Sequence, residues 1–148
     1  QNKRIACYWS IGNEMPTHSL IEIFLNMQSD IYLPKMIEGS NILKFKQLES
    51  KEKLKENSLG IMEPIGTKEI DPSNLEIIFL PCVCFKEMGY RIGMGKGYYD
   101  YSLAQVTDPD TKLVILAHDF QKINHTFSEK HDVKTDACIT DKGFYEFR

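Results

Sequence analysis

"LEIIFLPCVCF" (residues 75–85) is the most apolar run in the chain, and it is apolar on both alternating positions. A strand with one wet face alternates apolar and polar residues. One that is apolar throughout reads as a strand inside a parallel sheet covered by helices on both sides. Directly after it comes "GYRIGMGKGYYD" (89–100), with four glycines, one lysine, one arginine, three tyrosines and one aspartate in twelve positions. Then "YYDYSLAQV" carries helix-forming residues. Buried strand, glycine loop, helix is the order in which open α/β sheets build an anion site beyond the carboxyl end of a strand.

The same alternation extends outward from this centre. "TKLVILAHDF" (111–120) reads as a second doubly buried strand, and "ACIT" (137–140) as a last one. Upstream, "RIACYWS" (4–10), "DIYLPKM" (30–36) and "NILKFKQLES" (41–50) read as strands. "PTHSLIEIFLNMQ" between them reads as a helix, with Thr17 at its N-cap and Leu20, Ile23, Phe24 and Met27 at helical spacing. "KEKLKENS" is a charge run suited to a solvated turn, and "GIMEPIGTKEIDPSN" is irregular. Strands alternating with helices predict a three-layer α/β/α fold with a mostly parallel, Rossmann-like central sheet. With no repeat and no low-complexity linker, residues 1–148 read as a single domain.

Bulk composition narrows the function classes. Net charge is −3, from 18 basic and 21 acidic residues, which is not a nucleic-acid footprint; an anion site must be local. No apolar run reaches the ~20 residues of a membrane span. The four cysteines, Cys7, Cys82, Cys84 and Cys138, form no second pair at zinc spacing, and read as reduced thiols of a cytoplasmic protein. In a strand, Cys82 and Cys84 would share one face.

Within the loop, Gly93, Gly95 and Gly97 let backbone N–H groups approach oxyanions, Lys96 adds a point charge, and Arg91 a planar fork. Two familiar phosphate motifs are excluded: Gly97 stands where a P-loop needs Ser or Thr, and Tyr98 where G-x-G-x-x-G needs its last glycine. A turn shaped only by packing would explain the glycines but not the interleaved Arg, Lys and Asp.

"FLPCVCFKEMGYRIGMGKGYYDYSLAQ" (79–105) resembles the signature segment of the 5-formyltetrahydrofolate cyclo-ligase (methenyltetrahydrofolate synthetase) family. "KRIACYWSIGNEMPTHSLI", "DIYLPKM", "GIMEP", "AHDFQ" and "SEKHDVKTDACIT" are similar to further family segments, so the likeness runs along essentially the whole chain. Two departures stand out. The helices that open family members and give basic contacts to the nucleotide have no counterpart here, and Cys82 and Cys84 replace residues that are usually small and not thiols.

The resemblance implies ATP-dependent ring closure of 5-formyltetrahydrofolate to 5,10-methenyltetrahydrofolate, through a phosphorylated formyl oxygen, with magnesium (Mg2+). It implies an ATP site at Arg91, Ile92, Gly93, Met94, Gly95, Lys96, Gly97, Tyr98 and Tyr99, with Arg91 and Lys96 catalytic. It implies a folate site at Trp9, Glu14 and residues 94–98, and a metal held by Asp100 and Asp132. Asp100 would also suit a helix start facing the macrodipole, and Trp9 would also suit a core. The implied partners are the two substrates alone, with neither nucleic acid nor membrane, on a cytoplasmic monomer. A non-catalytic folate- or nucleotide-binding module of the same fold is the competing reading. A sugar-phosphate isomerase-like enzyme is a third, resting on fold analogy alone.

Overall fold

The computed structural model describes residues 3–66, 68–86, 89–92, 98–106, 108–123 and 133–147. In chain order these form β1 (Arg4–Ala6), α1 (His18–Asn26), β2 (Asp30–Met36), β3 (Leu43–Leu48), β4 (Leu54–Glu56), β5 (Met62–Pro64) and β6 (Glu69–Ile70). There follow β7 (Ile77–Leu80), β8 (Cys84–Lys86), β9 (Arg91–Ile92), α2 (Tyr98–Leu103), β10 (Lys112–Leu116), β11 (Lys122–Ile123), β12 (Ala137–Thr140) and β13 (Gly143–Glu146).

Eight strands make one sheet, in the order β13-β12-β10-β7-β1-β2-β3-β6. The central five, β12, β10, β7, β1 and β2, are mutually parallel. The outer ladders, β12 with β13, β2 with β3 and β3 with β6, are antiparallel. Side chains alternate across the sheet as the pleat dictates. Ile5, Cys7, Ile31, Leu33 and Phe79 face one side, where Ile21, Leu20 and Phe24 of α1 cover them. Ala6, Tyr32, Ile78 and Leu80 face the other, where Leu103 and Tyr99 of α2 cover them. The α/β/α layering and the mostly parallel sheet thus stand as the apolar pattern predicts. Among the described residues no helix is long and apolar enough to cross a membrane.

Several elements differ from the sequence reading. Residues 75–85 are not one strand. β7 ends at Leu80, and after Pro81 the chain leaves the large sheet; β8 belongs to a separate three-stranded sheet, β11-β8-β9. Proline has no N–H for a ladder, so the run breaks there although its side chains stay apolar. Cys82 therefore precedes β8 and does not share a strand face with Cys84. "KEKLKENS" and "GIMEP" are not solvated turn and irregular chain; they contribute β4 and β5, a hairpin that packs beside β2. Buried Glu63 ties that hairpin down, its Oε2 accepting from the Met36 N–H (2.7 Å) and Asn57 Nδ2 (3.1 Å).

Candidate active site

Chain order and spatial order diverge at one place in the parallel core. From β1 the chain builds outward through β2 and β3, and then returns to lay β7 on the opposite flank of β1. The carboxyl ends of β1 and β7 therefore open away from each other, and the crevice between them is where such sheets take ligands. Glu14 lies in the segment after β1, and Arg91 in the segment after β7.

The segment carrying Glu14 is shaped by its own hydrogen bonds. The Thr17 hydroxyl, fully buried, donates to the Tyr8 carbonyl (2.6 Å) and accepts from the Ser10 N–H (3.0 Å). The Thr17 N–H donates to Ser10 Oγ (3.0 Å), and the Tyr8 hydroxyl to the Met15 carbonyl (2.8 Å). Thr17 does occupy the N-cap of α1, but its side chain makes no cap hydrogen bond, because the loop uses it. Glu14 closes the turn by accepting the Ile11 N–H at 2.9 Å. Burial holds its carboxyl above the ordinary carboxylate range, and the Ile11 N–H opposes that rise. Trp9 is half-buried and packs against the core around α1, with its indole stacked on the His18 imidazole at 3.9 Å.

Arg91 is buried although it is cationic. Its guanidinium donates to the Pro81 carbonyl (3.2 Å) and lies 5.1 Å from the centre of the Tyr99 ring, a cation–π contact in a desolvated setting. Tyr99 in turn packs from α2 against the core that includes Ala6, Ile78 and Leu80. Burial pushes the Tyr99 hydroxyl well above its ordinary range; Arg91 opposes this, while Glu14 and Cys7 add to it. Glu14 also raises the buried Tyr8 hydroxyl and the Cys82 thiol, whose burial takes it to about 12. Arg91, Tyr99 and the Pro81 carbonyl thus meet where the chain leaves β7.

The strand pair leading to Arg91 is pinned from below. Gly89 has φ +95, and its carbonyl accepts both the N–H (2.9 Å) and the hydroxyl (2.7 Å) of Thr135. On α2, Asp100 sits in the first turn, and its Oδ1 accepts the Val133 N–H at 3.4 Å. Val133 directly follows Asp132 in the chain. The Ser102 hydroxyl donates to the Tyr98 carbonyl (2.6 Å) and accepts the Leu43 N–H (2.7 Å), fixing α2 to β3.

Of the sequence-predicted site residues, the structure sets Arg91 against Tyr99 of α2, places Asp100 next to Tyr99 on that helix and Glu14 in the loop after β1. Gly93, Met94, Gly95, Lys96, Gly97 and Asp132 lie outside the described residues, as does the side chain of Ile92. Among the described residues no group of three or more His, Cys, Asp or Glu converges as a metal site. All four cysteines are free thiols. Sequence reading missed Tyr8 and Ser10 and saw in Thr17 only a helix cap; these three form the Glu14 loop through contacts seven or more residues apart. It also missed Gln121, whose amide binds carbonyls after β7. Gly89, read as the start of the glycine loop, instead turns the chain between β8 and β9 at φ +95.

A sequence profile of the 5-formyltetrahydrofolate cyclo-ligase family matches residues 1–141. The 5-formyltetrahydrofolate cyclo-ligase of Haemophilus influenzae is 33% identical over 136 residues, covering 90% of this chain and 73% of that protein. The enzyme of that name from Escherichia coli K12 is 31% identical over 147 residues, covering 97% and 80%. The solution structure of Aquifex aeolicus 5,10-methenyltetrahydrofolate synthetase superposes with a TM-score of 0.84 at 30% identity, over 99% of this chain and 73% of that one. The synthetase of Mycoplasma pneumoniae superposes at 0.72, also at 30% identity, over 95% and 74%.

Proposed function

The chain belongs to the 5-formyltetrahydrofolate cyclo-ligase family, a family of ligases, and from that premise we propose that it closes 5-formyltetrahydrofolate to 5,10-methenyltetrahydrofolate with ATP as co-substrate. The chemical obstacle is a formamide oxygen, a poor leaving group. In this reading the formyl oxygen attacks the γ-phosphorus of ATP and the P–O bond to ADP breaks, leaving the oxygen phosphorylated. N10 then attacks the formyl carbon and gives up its proton, and the C–O bond breaks with its electron pair departing on phosphate.

Phosphoryl transfer of this kind asks a protein for positioning and charge more than for covalent help. Arg91, held on Tyr99 and the Pro81 carbonyl, meets the triphosphate with its remaining N–H donors. Lys96 and the glycines beside it, outside the described residues, are assigned to the same triphosphate from their sequence. Glu14 accepts the paired donors of the pterin edge, for which a carboxylate is suited. The donor set also suits magnesium: Asp100 is a hard carboxylate on the first turn of α2, hydrogen-bonded to the residue after Asp132. When bound there, the ion would neutralise phosphate charge, with nucleotide oxygens completing its shell.

The observation that carries this reading is buried Arg91, held by the Pro81 carbonyl just after β7 and set over Tyr99 of α2, with Glu14 in the neighbouring segment after β1. The test is optical. The methenyl product absorbs in the near ultraviolet where the formyl substrate does not. Absorbance is expected to rise only when protein, ATP, Mg2+ and 5-formyltetrahydrofolate are together, with one phosphate released per product. Binding of both ligands without that rise would replace the ligase reading with the binding-module one.

A further inference from the structure

Gln121 closes the short turn after β10 and has been given no part in the site so far. Its Nε2 donates to two successive carbonyls, those of Cys82 and Val83, both at 2.9 Å. Its Oε1 accepts the His118 N–H at 2.7 Å. Every donor hydrogen of the amide is used, and its oxygen is engaged. Successive carbonyls of an extended strand point to opposite sides. Two of them reaching one nitrogen means that the chain bends at 82–83, and the amide is what holds the bend.

The next carbonyl back along the chain, that of Pro81, is the one Arg91 binds at 3.2 Å. Three consecutive carbonyls, 81, 82 and 83, are therefore divided between Arg91 on one side and Gln121 on the other. β11, which follows Gln121 directly, pairs with β8 through Lys122 and Phe85, and β8 pairs with β9 through Phe85 and Arg91. Gln121 thus reaches Arg91 by two routes, the bend and the small sheet. A long cationic side chain with several rotatable bonds holds one pose only as firmly as the acceptors that fix it.

We infer that Gln121 is a positioning residue for the nucleotide site: it sets the 81–83 bend, the bend aims the Pro81 carbonyl, and that carbonyl fixes the Arg91 guanidinium toward a triphosphate. The inference rests on the reading of Arg91 given above. It separates Gln121 from the folate side of the crevice, since the Glu14 loop is held by its own hydrogen bonds through Tyr8, Ser10 and Thr17.

The experiment is a double-mutant cycle read by calorimetry. Affinities for ATP with Mg2+, and separately for 5-formyltetrahydrofolate, are measured in the wild type, Gln121→Met, Arg91→Lys and the double variant. Gln121→Met keeps the length of the side chain and removes its donors. It is expected to weaken ATP about tenfold, the scale of a lost hydrogen-bonding group, and to leave the folate within about twofold. On top of Arg91→Lys it is expected to add less than about twofold, because both changes remove the same pose. Additive losses, equal losses for the two ligands, or a lowered melting temperature with both affinities kept would each overturn the inference. If Gln121→Met does not fold, Gln121→Glu, which retains the acceptor for His118, is read by the same criteria. A wild type that fails to bind ATP, or an Arg91→Lys variant with unaltered ATP affinity, would overturn the underlying reading and this inference with it. Wild-type binding with an additive cycle overturns the inference alone.

Discussion

At the scale of single residues, two positions are bound by physics that a substitution exposes directly. A Cβ at Gly89 would stand 2.9 Å from the Thr135 carbonyl oxygen, on a backbone at φ +95. The obstacle is main chain, so no rotamer change relieves it. Gly89→Ala is expected to destabilise the fold by about 1–3 kcal/mol in chemical denaturation, the scale of one strained backbone position; a change under about 0.5 kcal/mol would mean that the Thr135 clasp yields freely. Glu14 is strained in another sense. Burial raises its folded pKa above the ordinary 4.5, so the folded protein holds that proton more tightly than the unfolded chain. Below 4.5 both states are protonated and the fold carries no penalty. As pH rises from there to the raised folded value, the unfolded chain releases its proton first, and stability falls. Above it the buried charge is a standing cost. Glu14→Gln keeps an oxygen for the Ile11 N–H and removes the charge. Its melting temperature is expected to equal or exceed the wild type at neutral pH, with a flatter profile as pH rises above 4.5, while folate affinity drops about 10- to 100-fold through loss of charge-assisted bonds. A variant less stable at neutral pH, with folate affinity intact, would return Glu14 to the role of a turn residue.

At the scale of elements, the site depends on how irregular segments are stapled. Thr17→Val preserves shape and leaves the Tyr8 carbonyl and the Ser10 N–H without their buried partner. The expected loss is about 1–3 kcal/mol by urea denaturation, and folate binding should weaken with it, since Glu14 rides on that loop. Full stability in the variant would show that solvent replaces the hydroxyl. The same elements mark where sequence reading succeeds. β2 runs over Asp30–Met36, and β12 over Ala137–Thr140, as read, because a short apolar run bounded by polar and turn residues is a local signal. α1 begins beside Thr17 as read, yet its cap hydroxyl serves the loop, which no local pattern could reveal. β9 and β11 have two residues each and cannot show a period; their existence follows from pairing with β8, a tertiary fact. Glu14 is named through likeness to a family, and Arg91 already by its place beside the glycine loop. What places them at one crevice is the order of strands, and in particular that β7 returns to β1.

At the scale of the molecule, the two sheets differ in how they should open. β1, β7 and β10 lie at the centre of eight strands and are covered on both faces, whereas β8, β9 and β11 offer only two or three residues each. The small sheet is anchored chiefly by Phe85, which packs with Ile115, Ala117 and Cys138. Amides of β7 and β10 should therefore exchange only by global unfolding, and that of Lys86, bonded to the Tyr90 carbonyl, by a cheaper local opening. Arg91 belongs to the small sheet, so an opening that frees β9 also releases a nucleotide bound there. A ligand held only by the closed form suppresses that opening by RT ln(1 + [L]/Kd), about 2.7 kcal/mol at a hundredfold excess over Kd, or roughly 100-fold in exchange rate. Global unfolding loses the ligand as well, so the central strands should slow by the same factor. β13 is the outermost strand of the large sheet, beyond β12, and its amides fray without disturbing the crevice. Hydrogen exchange with and without ATP and Mg2+ is therefore expected to slow Lys86 and the centre of the large sheet together and to leave β13 unchanged. Equal slowing of β13 would point to a ligand bound across the sheet edge, and no slowing of Lys86 would remove the small sheet, and Arg91 with it, from the nucleotide site.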